Sequence, residues 1–178
     1  KHIILASGAT ERHIAFGNND RPGIMLASAM RDYTNRFAVR TATRVAVFTS
    51  NDSGWLTARD LNQKGIDVAA IIDIRKKEEH QEIAKKNTRI PVYSEDQIIK
   101  VHGHNRVKAI SLLNGAKINV DSIAVSGGWN PSIHLTCQHR QRPIWNEVIS
   151  GFIANEAELP SGMKVAGAAK GIYATNLV

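Results

Sequence analysis

Residues 44–74 read RVAVFTSNDSGWLTARDLNQKGIDVAAIIDI. The opening five, 44–48, are rich in β-branched and aromatic side chains and predict a strand. A polar turn follows over 49–53, then a helix over 54–64. Gly65 closes that helix in the manner of a C-terminal glycine. Residues 66–74 form a second strand, apolar through 68–72, with an acid, Asp73, near its end. Strand, turn, helix and strand within about thirty residues make a βαβ unit. Its two strands must run parallel and be covered on both faces.

A strand-to-helix turn of this kind is where a dinucleotide fingerprint sits, as three glycines spaced G-x-G-x-x-G with an acid about twenty residues on. The register that fits puts Thr49, Asn51 and Gly54 at the three glycine places, with Asp73 as the acid, nineteen residues past Gly54. Two glycines are therefore missing. The Asn51 side chain would occupy the space a pyrophosphate needs, and Asp52 places a carboxylate where a phosphate would otherwise meet the helix N-terminus. Asn51, Asp52 and Ser53 are all good N-caps, so the helix can satisfy its own free amides. One reading is a structural βαβ unit without a nucleotide. The other is a self-standing NAD(P)H-dependent reductase domain, with Asp73 accepting from a ribose hydroxyl. Arg75 would suit a 2′-phosphate, but Asp73 would oppose it.

Working outward, residues 2–6 (HIILA) predict a buried strand that meets a turn at Ser7, Gly8 and Ala9. Residues 24–37 place Met25, Ala29, Tyr33 and Phe37 on one helical stripe. The run RKKEEHQEIAKK at 75–86 mixes both charges and predicts a solvated helix. A short strand is expected over 89–93, an antiparallel pair over 97–102 and 106–113, and a further pair of short strands within 117–127. Trp129, Asn130 and Pro131 open a helix or loop through Cys137. Residues 146–160 show no clear pattern, and 163–166 predict a last strand before the small-residue run Gly167, Ala168, Ala169, Lys170, Gly171. The fold class is α/β: a Rossmann-like parallel sheet with a βαβ unit and a small antiparallel meander, of FAD/NAD(P)-binding type.

The chain has 178 residues, 43% of them hydrophobic and 22% charged, which suits a globular domain with a core of useful size. Its apolar runs are too short to span a bilayer. Lys1 runs directly into an apolar strand with no leader, so secretion is not expected and the piece reads as internal to a longer polypeptide. A single cysteine, Cys137, cannot form an internal disulfide, and a reducing, cytoplasmic setting is the simplest expectation. The net charge of +7 favours acidic partners. The basic residues are spread along the chain with no aromatic–basic module, so nucleic acid is not the expected partner. A weaker reading is a basic adaptor with no cofactor. His102 with His104, and His134, Cys137 and His139, cluster in sequence without a zinc-like fourth ligand, so no metal site is assigned. No catalytic set is recognisable.

Several segments together resemble the glutathione-reductase-like flavoproteins, which carry two dinucleotide-binding domains. HIILASGAT (2–10) is similar to the strand and turn where their first domain hands over to the second. RVAVFTSNDSG (44–54) sits where their second fingerprint begins, INVDSIAVSGGWNP (118–131) resembles the return to the first domain, and KVAGAAKG (164–171) resembles the closing strand–glycine motif. Within that superfamily, NNDRPGIMLASAMRDYTNRF, VFTSNDSG, SGGWNPSIHL and VAGAAKG look most like the alpha subunit of heterotetrameric sarcosine oxidase. The resemblance covers nearly all of the chain and includes the altered fingerprint. It lacks the upstream G-x-G-x-x-G and the downstream folate-binding domain.

The resemblance implies a division into 1–40 (part of the first dinucleotide-binding domain and the crossover), 41–127 (the second, degenerate domain) and 128–178 (the return segment). It implies an enzyme that oxidatively demethylates sarcosine to glycine, passes the one-carbon unit to tetrahydrofolate through a C-terminal domain, and forms hydrogen peroxide. It further implies NAD in the first domain of the alpha subunit, FMN at the alpha–beta interface, FAD on the beta subunit, and beta, gamma and delta subunits as partners. Carried onto this sequence, the NAD-facing residues are Gly8, Gly167, Ala168, Gly171 and Thr175. Small residues suit that place because they let backbone amides approach a dinucleotide. Without the resemblance, the same run reads as a tight turn needed for packing.

Overall fold

The computed structural model describes residues 2–87 and 89–173. They form two compact units, one from the residues up to Arg12 and from Trp129 onward, the other from His13–Gly128. The chain begins in the first unit with β1 (Ile3–Leu5) and β2 (Ala9–Glu11), then enters the second.

The second unit opens with β3 (Ile24–Leu26), α1 (Ala27–Phe37) and β4 (Arg44–Thr49), followed by α2 (Asp52–Gln63) and β5 (Asp67–Asp73). A helical turn, α3 (Gln81–Ala84), flanked by 3₁₀ turns precedes β6 (Val92–Ser94). A meander of β7 (Ile98–His102), β8 (Ala109–Leu112) and β9 (Lys117–Asn119) then leads into β10 (Ser122–Ser126). Five strands make one parallel sheet in the order β3-β10-β4-β5-β6. The expected βαβ unit and α/β class are as read from the sequence, with Asn51 as the helix N-cap and Gly65 at φ +78° behind its end.

Alternation along the strands decides the layers. Val45, Val47 and Ile71 face α1 and α2, where Met30, Trp55, Ala58 and Leu61 are fully buried. Phe48, Ile72, Ile123 and Val125 face the meander, against Val101, Ile110 and Leu112. Burying each large apolar side chain of this kind contributes about 1.5–3 kcal/mol.

In this second unit three expectations are corrected. Residues 24–26 are not the start of the helix, because they pair in register with Ile123–Val125 as an edge strand, and the helix starts at Ala27. The two strands within 117–127 do not pair with each other: β9 completes the meander, while β10 crosses into the parallel sheet between β3 and β4. The charged run at 75–86 is not one helix but a four-residue α-turn between 3₁₀ turns, with His80 buried against Trp55 at 4.9 Å between ring centroids.

Back in the first unit, the chain adds β11 (Trp129–Pro131), β12 (Ile144–Asn146), β13 (Gly151–Ile153) and β14 (Met163–Val165). Residues 129–131 are thus a strand, antiparallel to β2, rather than the opening of a helix, and only 136–139 turn, as a 3₁₀ segment. The patternless stretch at 146–160 contains half of the hairpin β12–β13. β14 runs parallel to β1, and Leu5, Ile133, Ala154, Val165 and Ala169 make a small core.

Candidate functional site

The strand-to-helix turn of the second unit is closed on itself. At the end of β4 the buried Thr49 hydroxyl accepts from the Asn51 backbone N–H at 3.1 Å and donates to the Asn51 carbonyl at 2.8 Å. The Asn51 carboxamide oxygen caps α2 through the Ser53 N–H at 2.9 Å. Its amide nitrogen donates to the Ser126 carbonyl at 3.0 Å and hydroxyl at 3.1 Å, tying the turn to the end of β10. Gly54 keeps the packing role of a third fingerprint glycine, since a Cβ there would lie 2.3 Å from Thr49 Oγ1 and 2.5 Å from Thr49 Cβ.

Asp73 is fully buried, and both its oxygens are in use. Oδ2 accepts from Trp55 Nε1 at 2.7 Å and Arg75 Nη2 at 2.8 Å; Oδ1 accepts from the Arg75 backbone N–H at 2.9 Å and Nε at 3.1 Å. The third guanidinium nitrogen of Arg75 reaches Asp52 Oδ1 at 2.9 Å. Burial pulls the Arg75 pKa down, yet its hydrogen bond and attraction to Asp73, and then to Asp52, hold it above the ordinary arginine value. The arrangement is a bidentate ion pair with an indole N–H as third donor, a strong form of carboxylate recognition. Sequence reasoning found Thr49, Asn51, Gly54 and Asp73 and missed Trp55 and Ser126. Arg75 was visible two residues past Asp73, but it turns to Asp73 itself rather than outward to a phosphate.

The small-residue turns lie in the first unit, after the parallel strands β1 and β14. Gly8 and Gly167 follow the carboxyl ends of this pair, the side on which open α/β sheets bind ligands. Both have left-handed backbones, φ +77° and +62°, and a Cβ at either would meet no described atom within 4 Å. Among the described residues, nothing at either turn bars the approach of a dinucleotide. Gly171 differs: at φ +83°, a Cβ added there would lie 3.0 Å from Ile149 Cδ1 and 3.1 Å from Ile153 Cγ2, so the closeness of the β12–β13 hairpin accounts for a glycine at that position. Ala168 lies between the two in a 3₁₀ turn, and Thr175 falls outside the described residues. Among the described residues, no group of three or more His, Cys, Asp or Glu is placed to hold a metal, and no helix is long and apolar enough to cross a membrane.

No protein-family model matches the chain. It is 37% identical over 169 residues to the sarcosine oxidase subunit alpha of Rhizobium meliloti (strain 1021), covering 93% of this chain and 16% of that protein. It is 31% identical over 184 residues to the subunit of the same name from Corynebacterium sp. (strain P-1), covering 97% of this chain and 19% of that protein. The chain thus spans less than a fifth of the length of these relatives. Among solved structures, L-proline dehydrogenase from P. horikoshii superposes with a TM-score of 0.68 at 22% identity, over 95% of this chain and 30% of that one. The fold is that of the FAD- and NAD-dependent oxidoreductases. Along nearly its whole length, this chain is similar to one segment of the sarcosine oxidase alpha subunits.

Proposed function

We propose that this chain is the structural middle of an oxidase alpha subunit, contributing to a complex that oxidatively demethylates sarcosine to glycine. In that reading the one-carbon unit passes to tetrahydrofolate and oxygen is reduced to hydrogen peroxide. FAD is held on the beta subunit and FMN at the alpha–beta interface, and gamma and delta subunits complete the assembly. The second, self-closed unit is a scaffold that binds no nucleotide. The first unit contributes Gly8 and Gly167 to an NAD site completed by polypeptide outside this chain, where NAD would supply a bound dinucleotide. This chain's own part is to present backbone amides from two left-handed turns without a side chain in the way.

The observation that carries the scaffold reading is the saturated Asp73 carboxylate. A ribose hydroxyl would have to displace either a buried indole N–H or a bidentate guanidinium, and each displaced donor would be left unsatisfied at about 1–3 kcal/mol or more. Two neighbouring facts support the completion reading. Ile3 and Ile4 are 61% and 71% exposed on successive positions of β1, so at its start that strand is bare on both faces, while Leu5 at its end is buried. Parallel strands are ordinarily covered on both faces, so further sheet and helix belong there. The rival, a self-standing NAD(P)H reductase using Asp73, requires either Trp55 or Arg75 to give up its bond to that buried carboxylate.

The test is the NAD content of the purified full-length subunit. Gly8→Val and Gly167→Val should lower NAD per folded subunit, while Asp73→Asn should leave it unchanged. Loss of NAD in Asp73→Asn with retention in both glycine variants would reverse the assignment.

A further inference from the structure

The β12–β13 hairpin exposes an aromatic pair that no described residue of its own unit covers. Trp145 and Phe152 are directly opposite each other across the two strands, their rings edge to face at 5.1 Å between centroids. They are 48% and 54% exposed, and Val148 at the turn is 93% exposed. The other face of the hairpin is turned toward its own unit: Ile144, itself 45% exposed, and Ile153 line a recess of about 220 Å³ with Ala154 and Val165, and Ile149 and Ile153 lie close enough to Gly171 that an added Cβ would meet them at 3.0 and 3.1 Å.

The hairpin is also held in shape. Arg12 donates to the Ser150 and Ile149 carbonyls at 2.5 and 3.4 Å, and the Asn146 carboxamide oxygen accepts from the Val148 and Ile149 N–H groups at 3.0 and 3.3 Å. A fixed turn that displays a half-exposed Trp and Phe is the kind of anchor that fills interfaces, where aromatic residues are enriched, and its rigidity lowers the entropic cost of docking.

We propose that the Trp145–Phe152 face, with Val148 at its tip, packs against the remainder of its own polypeptide rather than against a separate subunit. The inference rests on the reading of this chain as a segment of an alpha subunit. Two observations select the occupant. The matched relatives are five to six times longer than this segment, which covers 16–19% of them, so most of the polypeptide is available to pack here. The hairpin also belongs to the same compact unit as the two-stranded parallel pair β1–β14, whose Ile3 and Ile4 stand exposed and whose sheet needs completing.

Hydroxyl-radical footprinting read by mass spectrometry distinguishes the occupants. It would be run on the full-length subunit alone and in the assembled oxidase, with the denatured subunit as the exposed reference and Trp55 as the buried one. Oxidation of Trp145 and Phe152 should fall several-fold below the denatured reference already in the lone subunit, and fall no further on assembly. Exposed rings in the lone subunit would overturn the proposal, and protection gained only on assembly would assign the face to a partner subunit. Ile3 and Ile4 serve as the internal control. If they are protected in the lone subunit while Trp145 is not, the hairpin inference fails and the segment reading stands.

Discussion

Replacing Asp73 separates a structural acid from a nucleotide ligand. In Asp73→Ala the carboxylate that accepts from Trp55 Nε1, the Arg75 backbone N–H and two guanidinium nitrogens is gone. The indole N–H is left in a fully buried site, and Arg75, whose side chain is only 18% exposed, keeps one partner, the solvent-facing Asp52. Removing one member of a buried pair costs about 3–5 kcal/mol. That is a large share of a domain stability of about 5–15 kcal/mol. With a urea m-value of about 2 kcal/mol/M, the unfolding midpoint should fall by about 2 M. Asp73→Asn keeps an acceptor oxygen but not the charge, and should cost about 2–3 kcal/mol. Asp73→Asn combined with Arg75→Met should lose less than the sum of the two single losses, because each single change strands the other's partner. Urea unfolding followed by tryptophan fluorescence reads all of these. A loss below about 0.5 kcal/mol in Asp73→Ala, the size expected of an unengaged surface acid, would refute the reasoning.

Other positions give independent checks. Asn51→Ala removes the α2 cap and two bonds to Ser126, and should lower stability by about 1–2 kcal/mol in the same urea assay. Gly54→Ala forces a Cβ against Thr49 and should cost about 1–3 kcal/mol or more, partly recovered by Thr49→Gly; an unchanged melting temperature would contradict the contact. Gly167→Ala meets no atoms, so only its left-handed backbone is penalised, by about 1–2 kcal/mol, and Gly167→Asn should be milder. His102 should titrate below the ordinary histidine value in a proton NMR titration, because of partial burial and then the charges of Lys117, Lys100 and Arg21. Its neutral form is favoured by folding, so its contribution to stability is present above about pH 6.5 and is lost as the pH falls. Lys117→Ala should move that midpoint up.

The parts of this fold written in local sequence were legible. The β-branched run at 44–48, Asn51 before the helix and Gly65 behind it each act within a few residues, and the structure places strand, cap and terminus there. Where a local pattern and a long-range pairing competed, the pairing won. Met25 continues the helical stripe of Ala29 and Tyr33, yet 24–26 is a strand because β10, a hundred residues on, offers it an edge. The insertion of β10 between β3 and β4 has no local signature at all. The hairpin at 144–153 was hidden because its turn, formed around Asn146 and Ser150, lacks the Asn-Gly or Asp-Gly pair that marks tight hairpins. At the candidate site, the lost glycines and the N-capping asparagine were readable as chemistry. The use of Asp73 was not, since its partner Trp55 lies eighteen residues away on a helix and meets it only when α2 packs on the sheet.

The second dinucleotide-like unit has closed its own site. Calorimetric titration of NAD, NADP and FAD, each separately, into the 178-residue chain tests it most directly. No binding heat is expected from any of the three, because Thr49 and Asn51 close the turn on itself, Asp52 sets a carboxylate at the helix start, and Asp73 is saturated. Micromolar binding of NAD, abolished by Asp73→Ala under conditions where that variant remains folded, would contradict it.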